Sequence, residues 1–182
     1  MKIITQVDGP PVDPREFDLP ENFSPNHIED IAEIFETPLT GHYNWDYTDA
    51  DSRIKKLYEL GKELNWDGEI DLDWSKGIAR DEYPIKPEMV ARLEGPLAAL
   101  PEEKRLEYMR HDQAWALSQF LHGEQGALLV ASQLVSCAPT YQAKLYAASQ
   151  TFDEARHVEV FSRYLQRIHG LEYPVNKNLK AL

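Results

Sequence analysis

Two long stretches of this chain carry apolar residues at steps of three and four, and they are the strongest elements its pattern predicts. The first opens at Pro101-Glu-Glu-Lys, with proline at a first-turn position and acids near the positive end of the helix dipole. No further proline follows until Pro139, so one long helix, or two nearly collinear ones, is expected here. Leu117, Phe120, Leu121, Leu128 and Ala131 define a buried face, and Glu124 lies on it. The second stretch, from Thr140 to His169, is bounded by Pro139 and Gly170 and mixes Leu145, Ala148, Phe152, Phe161 and Leu165 with Lys144, Arg156 and Arg163. It reads as the return helix of a hairpin.

The first hundred residues are patterned differently. Prolines and acids punctuate residues 1–47, which read as an extended arm, with a short amphipathic helix expected over 26–35 from Ile28, Ile31, Ala32 and Phe35. Ile54, Leu57, Tyr58 and Leu60 predict a helix over 51–64, capped by Asp51 or Ser52. Residues 65–87 place Trp66, Trp74 and Tyr83 among Asp and Gly, the composition of an irregular connection anchored by aromatics on the bundle. A brief helix from Pro87 to about Leu93 should end at Gly95-Pro96. The organisation expected is thus an arm with short helices packing on the bundle (1–100), a helical hairpin (101–170) and the start of a further element (171–182). In that last part Asn176 caps a helix that stops within about one turn.

Composition narrows the chemistry. With 182 residues and 42% hydrophobic content, the chain suits one domain with a core. It has no apolar run near the length of a membrane span, and no secretory pattern at Met1-Lys-Ile-Ile-Thr. A single cysteine, Cys137, excludes an intrachain disulfide and a thiolate metal site, and suits a reducing, cytoplasmic location. The net charge of -12 disfavours nucleic acid and anionic membranes as partners. There is no glycine-rich phosphate loop and no serine or cysteine nucleophile motif. Any metal must therefore be held by histidine and carboxylates.

Glu154 and His157, three apart in Asp153-Glu-Ala-Arg-His, project from one side of a helix and can reach a common ion. If Pro139 marks the hairpin turn, Glu124 lies 15 residues before it and Glu154 15 after it. At a rise of about 1.5 Å per residue both sit roughly 22 Å from the turn and face each other. Carboxylates brought together in this way must be protonated, paired with a cation or bridged by a metal. Glu124, Glu154 and His157 are accordingly the candidate metal ligands. Oxygen and imidazole donors without thiolate suit iron or manganese, and would also take zinc. The bland alternative pairs Glu154 with Arg156 or Lys144 at the surface and Glu124 with a neighbour, and leaves His157 as an interior histidine. His122 and His111 are not expected as ligands, and His27, His42 and His169 read as surface residues.

In Gln119-Phe-Leu-His-Gly-Glu124-Gln-Gly-Ala and Tyr146-Ala-Ala-Ser-Gln-Thr-Phe-Asp-Glu154-Ala-Arg-His157 the chain resembles the ferritin-like di-iron carboxylate oxygenases and oxidases. The resemblance spans residues 101–170 and implies an all-α, ferritin-like helical bundle, of which this hairpin is half of the four helices. It implies Glu124 as a terminal or bridging carboxylate, Glu154 as a bridging one, and Asp153 and Arg156 as supporting residues. It implies a di-iron centre, or a manganese one, that activates dioxygen to oxidise a small-molecule substrate in a pocket lined by Leu117, Phe120, Leu121, Phe161 and Tyr164. Ferroxidase or rubrerythrin-like iron and peroxide chemistry uses the same ligands, and a non-catalytic helical interaction module is the further alternative. The second Glu and second Glu-x-x-His of such a centre have no counterpart after His157. A C-terminal half of the bundle on a longer chain, or a homodimer partner, is expected to supply them.

Overall fold

The computed structural model describes residues 2–3, 37, 39–48, 52–77 and 81–181. The short helix expected over 26–35, and His27 with it, lie outside the described residues. Helices dominate: α1 (Ser52–Glu63), one-turn helices α2 (Pro87–Val90) and α3 (Gly95–Ala98), α4 (Glu102–Cys137) and α5 (Tyr141–Tyr164). Helix α4 is one unbroken element of 36 residues, about 54 Å long. Its interior glycines, Gly123 and Gly126, do not interrupt it. Helix α5 returns antiparallel after the turn at Ala138-Pro139-Thr140, and the Thr140 hydroxyl caps it by accepting from the Ala143 amide at 3.2 Å.

The return segment does not stay α-helical to His169 as its periodicity predicts. At Leu165–His169 it widens into a π-helical turn, closed by Gly170 in the left-handed conformation (φ 63°). Gly95 likewise has a positive φ of 68°, and it opens helix α3 where the sequence reading placed a helix end.

Three segments wrap the hairpin. Residues 39–48 run along its tip: the His42 amide donates to Ser136 O at 2.9 Å, Asn44 Nδ2 donates to Pro139 O at 2.7 Å, and Gln142 Nε2 reaches Thr48 O. Helix α1 and the loop after it cover the outer side of α5. The C-terminal segment lies against α4, where the Tyr173 amide donates to the buried Ser118 hydroxyl at 3.0 Å and the Asn176 amide to Gln119 Oε1 at 2.8 Å. It also forms a two-residue strand β2 (Leu171–Glu172), antiparallel to β1 (Lys2–Ile3), with Lys2 opposite Glu172. The expected cap at Asn176 is present: its Oδ1 accepts from the Asn178 and Leu179 amides, both at 3.0 Å, and a short 3-10 turn, Leu179–Ala181, follows.

The buried apolar core between the helices is small: Met109, Ala114, Ala131, Ala147 and Leu165. Leu117, Leu121 and Leu128 are half-buried as the pattern requires, but Phe120 and Phe152 are 59% exposed. Each keeps one neighbour only partly over its ring: Phe120 stacks on Phe161, and the Arg156 guanidinium lies 5.6 Å from the Phe152 ring. His169, expected at the surface, is instead buried, because the π-helical turn rotates it inward, where its Nε2 donates to Gln113 Oε1 (2.7 Å) and its ring packs edge-on to Tyr164. Among the described residues no helix is long and apolar enough to cross a membrane.

Candidate metal centre

Helix α4 presents Glu124 to α5 one-third of the way from its C-terminal end, and α5 returns Glu154 and His157 to the same level. The His157 Nδ1 atom lies 3.2 Å from Glu124 Oε2 and 3.1 Å from Glu154 Oε2. One ligand atom from each of the three side chains falls within 4.8 Å of the others, a spacing that a single cation can span. Among the described residues no other group of three His, Cys, Asp or Glu side chains converges in this way.

The donors face an accessible space. Both glutamates are half-buried with about a fifth of each side chain exposed, and the His157 side chain is 41% exposed. Burial, then the hydrogen bond it shares with the adjacent Glu124 carboxyl, holds the Glu154 carboxyl above the usual carboxylate range, partly offset by His157. Two acids in one place and a single imidazole leave negative charge uncompensated when all are ionised.

Lys144 and Arg156, the two basic residues the sequence offers as partners for Glu154, are engaged elsewhere. Lys144 Nζ donates to the carbonyls of Val135 and Ser136 at 3.0 and 2.9 Å, stopping the C-terminal end of α4. Arg156 points to the opposite side of α5. Its guanidinium pairs with Asp153, donates to Asn65 Oδ1 at 2.5 Å and Trp66 O at 2.9 Å, and stacks 4.5 Å from the Trp66 ring. Among the described contacts Glu154 pairs with neither Arg156 nor Lys144, while Glu124 has His157 as its neighbour. The Asp-Glu-Ala-Arg-His string divides into two acid–base pairs on two faces: Asp153 with Arg156 outward, Glu154 with His157 inward.

Arg156 and Arg163 tie the site's helix to the lead-in loop. Arg163 pairs with Glu69 and Glu159 and lies 5.3 Å from the Trp74 ring, whose Nε1 donates to Gly68 O at 2.6 Å. Trp66 and Trp74 thus act as the aromatic anchors expected of this loop. Gly68 permits the close approach, since a Cβ there would meet Val160 Cγ2 at 2.8 Å.

His111 and His122 are bound to the C-terminal segment: His111 Nδ1 lies 2.5 Å from the Tyr173 hydroxyl and His122 Nε2 2.9 Å from the Tyr173 carbonyl. Neither belongs to the metal group. Near the ligands, Phe120 and Phe161 stack with centroids 6.0 Å apart and planes 14° from parallel, one helical turn from Glu124 and His157 respectively. The supporting roles of Asn65 and Tyr173 are not legible in the sequence. Their partners lie more than fifty residues away along the chain, and no local spacing signals such pairs.

No family model, no curated protein and no solved structure matches the chain.

Proposed function

We propose that this chain is a carboxylate–histidine metal protein of the non-haem di-iron kind, with Glu124, Glu154 and His157 as its ligands, and that it uses the metal for dioxygen-dependent oxidation. The observation that carries the reading is the convergence of the three donors. The donor set fits the metal proposed: two carboxylates and an imidazole, with no thiolate, match the preference of ferrous iron or manganese. When bound, iron would supply the one-electron and oxygen chemistry that protein side chains lack.

The chain's own residues do the rest. The carboxyls of Glu124 and Glu154 provide the negative charge that retains a divalent cation. Glu154, held above the usual carboxylate range, must be ionised to ligate, which makes retention weaker in acid. His157 Nδ1 already points between the two carboxylates, so it is the ring nitrogen placed to ligate. Arg156, gripped by Asn65 and Trp66, fixes the rotation of α5 about its axis, and through it the direction of Glu154 and His157. The Phe120–Phe161 stack forms an apolar wall one turn away, where a small organic substrate could rest.

Iron oxidation itself is the second reading, in which ferrous iron is the substrate. The exposure of His157 favours it, because ions can reach the ligands directly from solvent. Stopped-flow mixing of anaerobically Fe(II)-loaded protein with oxygenated buffer tests both. Oxygen consumption that is lost in Glu154→Gln supports the proposal. Iron bound in full stoichiometry but inert to oxygen would overturn the redox assignment and leave a structural metal site.

A further inference from the structure

Helix α4 carries two parallel apolar seams, and the second, although its Phe120 stacks on Phe161 of α5, stays largely exposed among the described residues. Leu117, Leu121, Glu124, Leu128 and Ala131 step by four, three, four and three residues and face α5. One residue earlier, Ala116, Phe120, Gly123, Ala127, Val130 and Leu134 repeat the same heptad spacing on the adjacent side. On that side Phe120 is 59%, Val130 57% and Leu134 41% exposed. A Cβ built on Gly123 meets nothing within 4 Å. Gly123 of this seam adjoins Glu124 in sequence, and the His157 side chain is 41% exposed.

From this we infer that a second copy of the chain docks antiparallel along this seam and completes the metal centre across a two-fold axis; the inference rests on the metal reading proposed above. The seam is symmetric about position 125: Gly123 mirrors Ala127, Phe120 mirrors Val130, and Ala116 mirrors Leu134. Antiparallel self-pairing therefore sets each large side chain against a smaller one, and sets the smallest pair at the axis, beside Glu124. Glycine and alanine at the crossing point let the two α4 backbones approach closely. Glu124 and His157 of each copy would then lie on either side of the axis.

Ligand number points to the same occupant. Three donors leave an iron or manganese ion short of a full coordination shell, and a second copy contributes the same three by symmetry. The six residues are then four carboxylates and two imidazoles, enough for two metal ions per dimer. An isologous interface is the one arrangement that lets a single hairpin supply both halves. Charge sets its dependence on metal: each chain carries a net -12, so two copies repel unless cations sit between their carboxylates. The dimer should form with metal and weaken without it.

The test uses the full chain with Mn(II), which has no reaction with oxygen at neutral pH to complicate the reading. Mass by light scattering and metal per chain are measured for the native protein, for Val130→Arg, which buries a charge in the seam but is exposed in the single chain, and for His157→Ala. The inference expects a native dimer with two Mn(II), a monomeric Val130→Arg with at least tenfold weaker Mn(II) binding, and loss of metal in His157→Ala. A Cys137→Ala chain carrying Phe120→Cys and Val130→Cys should form an interchain disulfide under mild oxidant. A monomeric Val130→Arg that binds Mn(II) as tightly as the native protein, still lost in His157→Ala, would overturn the dimer and keep the metal ligands. A folded native protein that takes no Mn(II) or Fe(II) in either state would overturn the metal reading itself. Metal-dependent dimers that never cross-link between positions 120 and 130 would overturn the antiparallel seam.

Discussion

Two acid–base pairs of the same spacing sit side by side on α5, and they have opposite fates. Asp153 and Arg156 form a closed unit: the guanidinium is buried, stacked on Trp66 and bonded to Asn65 and the Trp66 carbonyl, so its charge is matched on every side but Nε. Glu154 and His157 form an open unit, in which a second carboxylate, Glu124, adds negative charge while Arg156 and Lys144 bond elsewhere. A fold that brings acids together and directs the available cations to another face leaves a place for a metal. The outward pair holds the structure, and the inward pair is available for chemistry.

The sharpest way to break this comparison is Arg156→Ala, which strands Asp153, Asn65 and the Trp66 carbonyl. A loss of about 3 kcal/mol in urea unfolding is expected, as for a buried charge deprived of its partners. An unchanged unfolding midpoint would mean that the lead-in loop does not depend on this arginine.

Opposite pH signs come next. Burial, with the neighbouring charge of Arg110, lowers the His169 pKa from 6.5 to about 4. The folded state then resists a proton that the unfolded chain accepts, so this contribution is full above about pH 6.5 and declines as pH falls toward 4. His169→Gln should flatten the decline in thermal midpoint over that window; an equally steep decline would assign it to other groups. Glu154 is shifted the other way, and in the metal-free protein its contribution is lost as pH rises above the ordinary carboxylate range. Glu154→Gln should therefore raise the thermal midpoint of the metal-free protein near neutral pH, by less than Arg156→Ala lowers it. A drop instead would mean that Glu154 is a stabilising partner and not a strained one.

The smallest effects compare glycines on the two sides. Gly68 lies where a Cβ would meet Val160 at 2.8 Å, whereas Gly126 lies on a helix with open space around it. Gly68→Ala should destabilise by about 1 kcal/mol through crowding, and Gly126→Ala should stabilise by about 0.5–1 kcal/mol through helix propensity. Equal shifts would remove the distinction between a covered and an uncovered side.

The hairpin was legible in the sequence because its signals are local and redundant: apolar steps of three and four, Pro139 and Thr140 at the turn, and Gly170 at the far end. The convergence of Glu124, Glu154 and His157 followed from the same arithmetic, since equal distances from a turn place side chains at equal height. What those side chains bind was not in the arithmetic. Neither was the fate of Phe120, because periodicity marks which residues share a face and says nothing about whether that face is covered. His169 was misplaced for a related reason: a switch from α to π geometry at Leu165 changes the rotation per residue, and no residue there announces it. Tyr173, which occupies both His111 and His122, depends on a contact across the fold that no spacing encodes.

The central claim is that these three side chains hold a metal ion, and metal content per chain decides it most directly. The native protein and His157→Ala would be equilibrated anaerobically with Fe(II), freed of unbound ion and measured by elemental analysis, with circular dichroism to establish that both are folded. The account predicts about one iron per chain in the native protein and little in the variant. Equal iron in both, or none in a folded native protein, would contradict it.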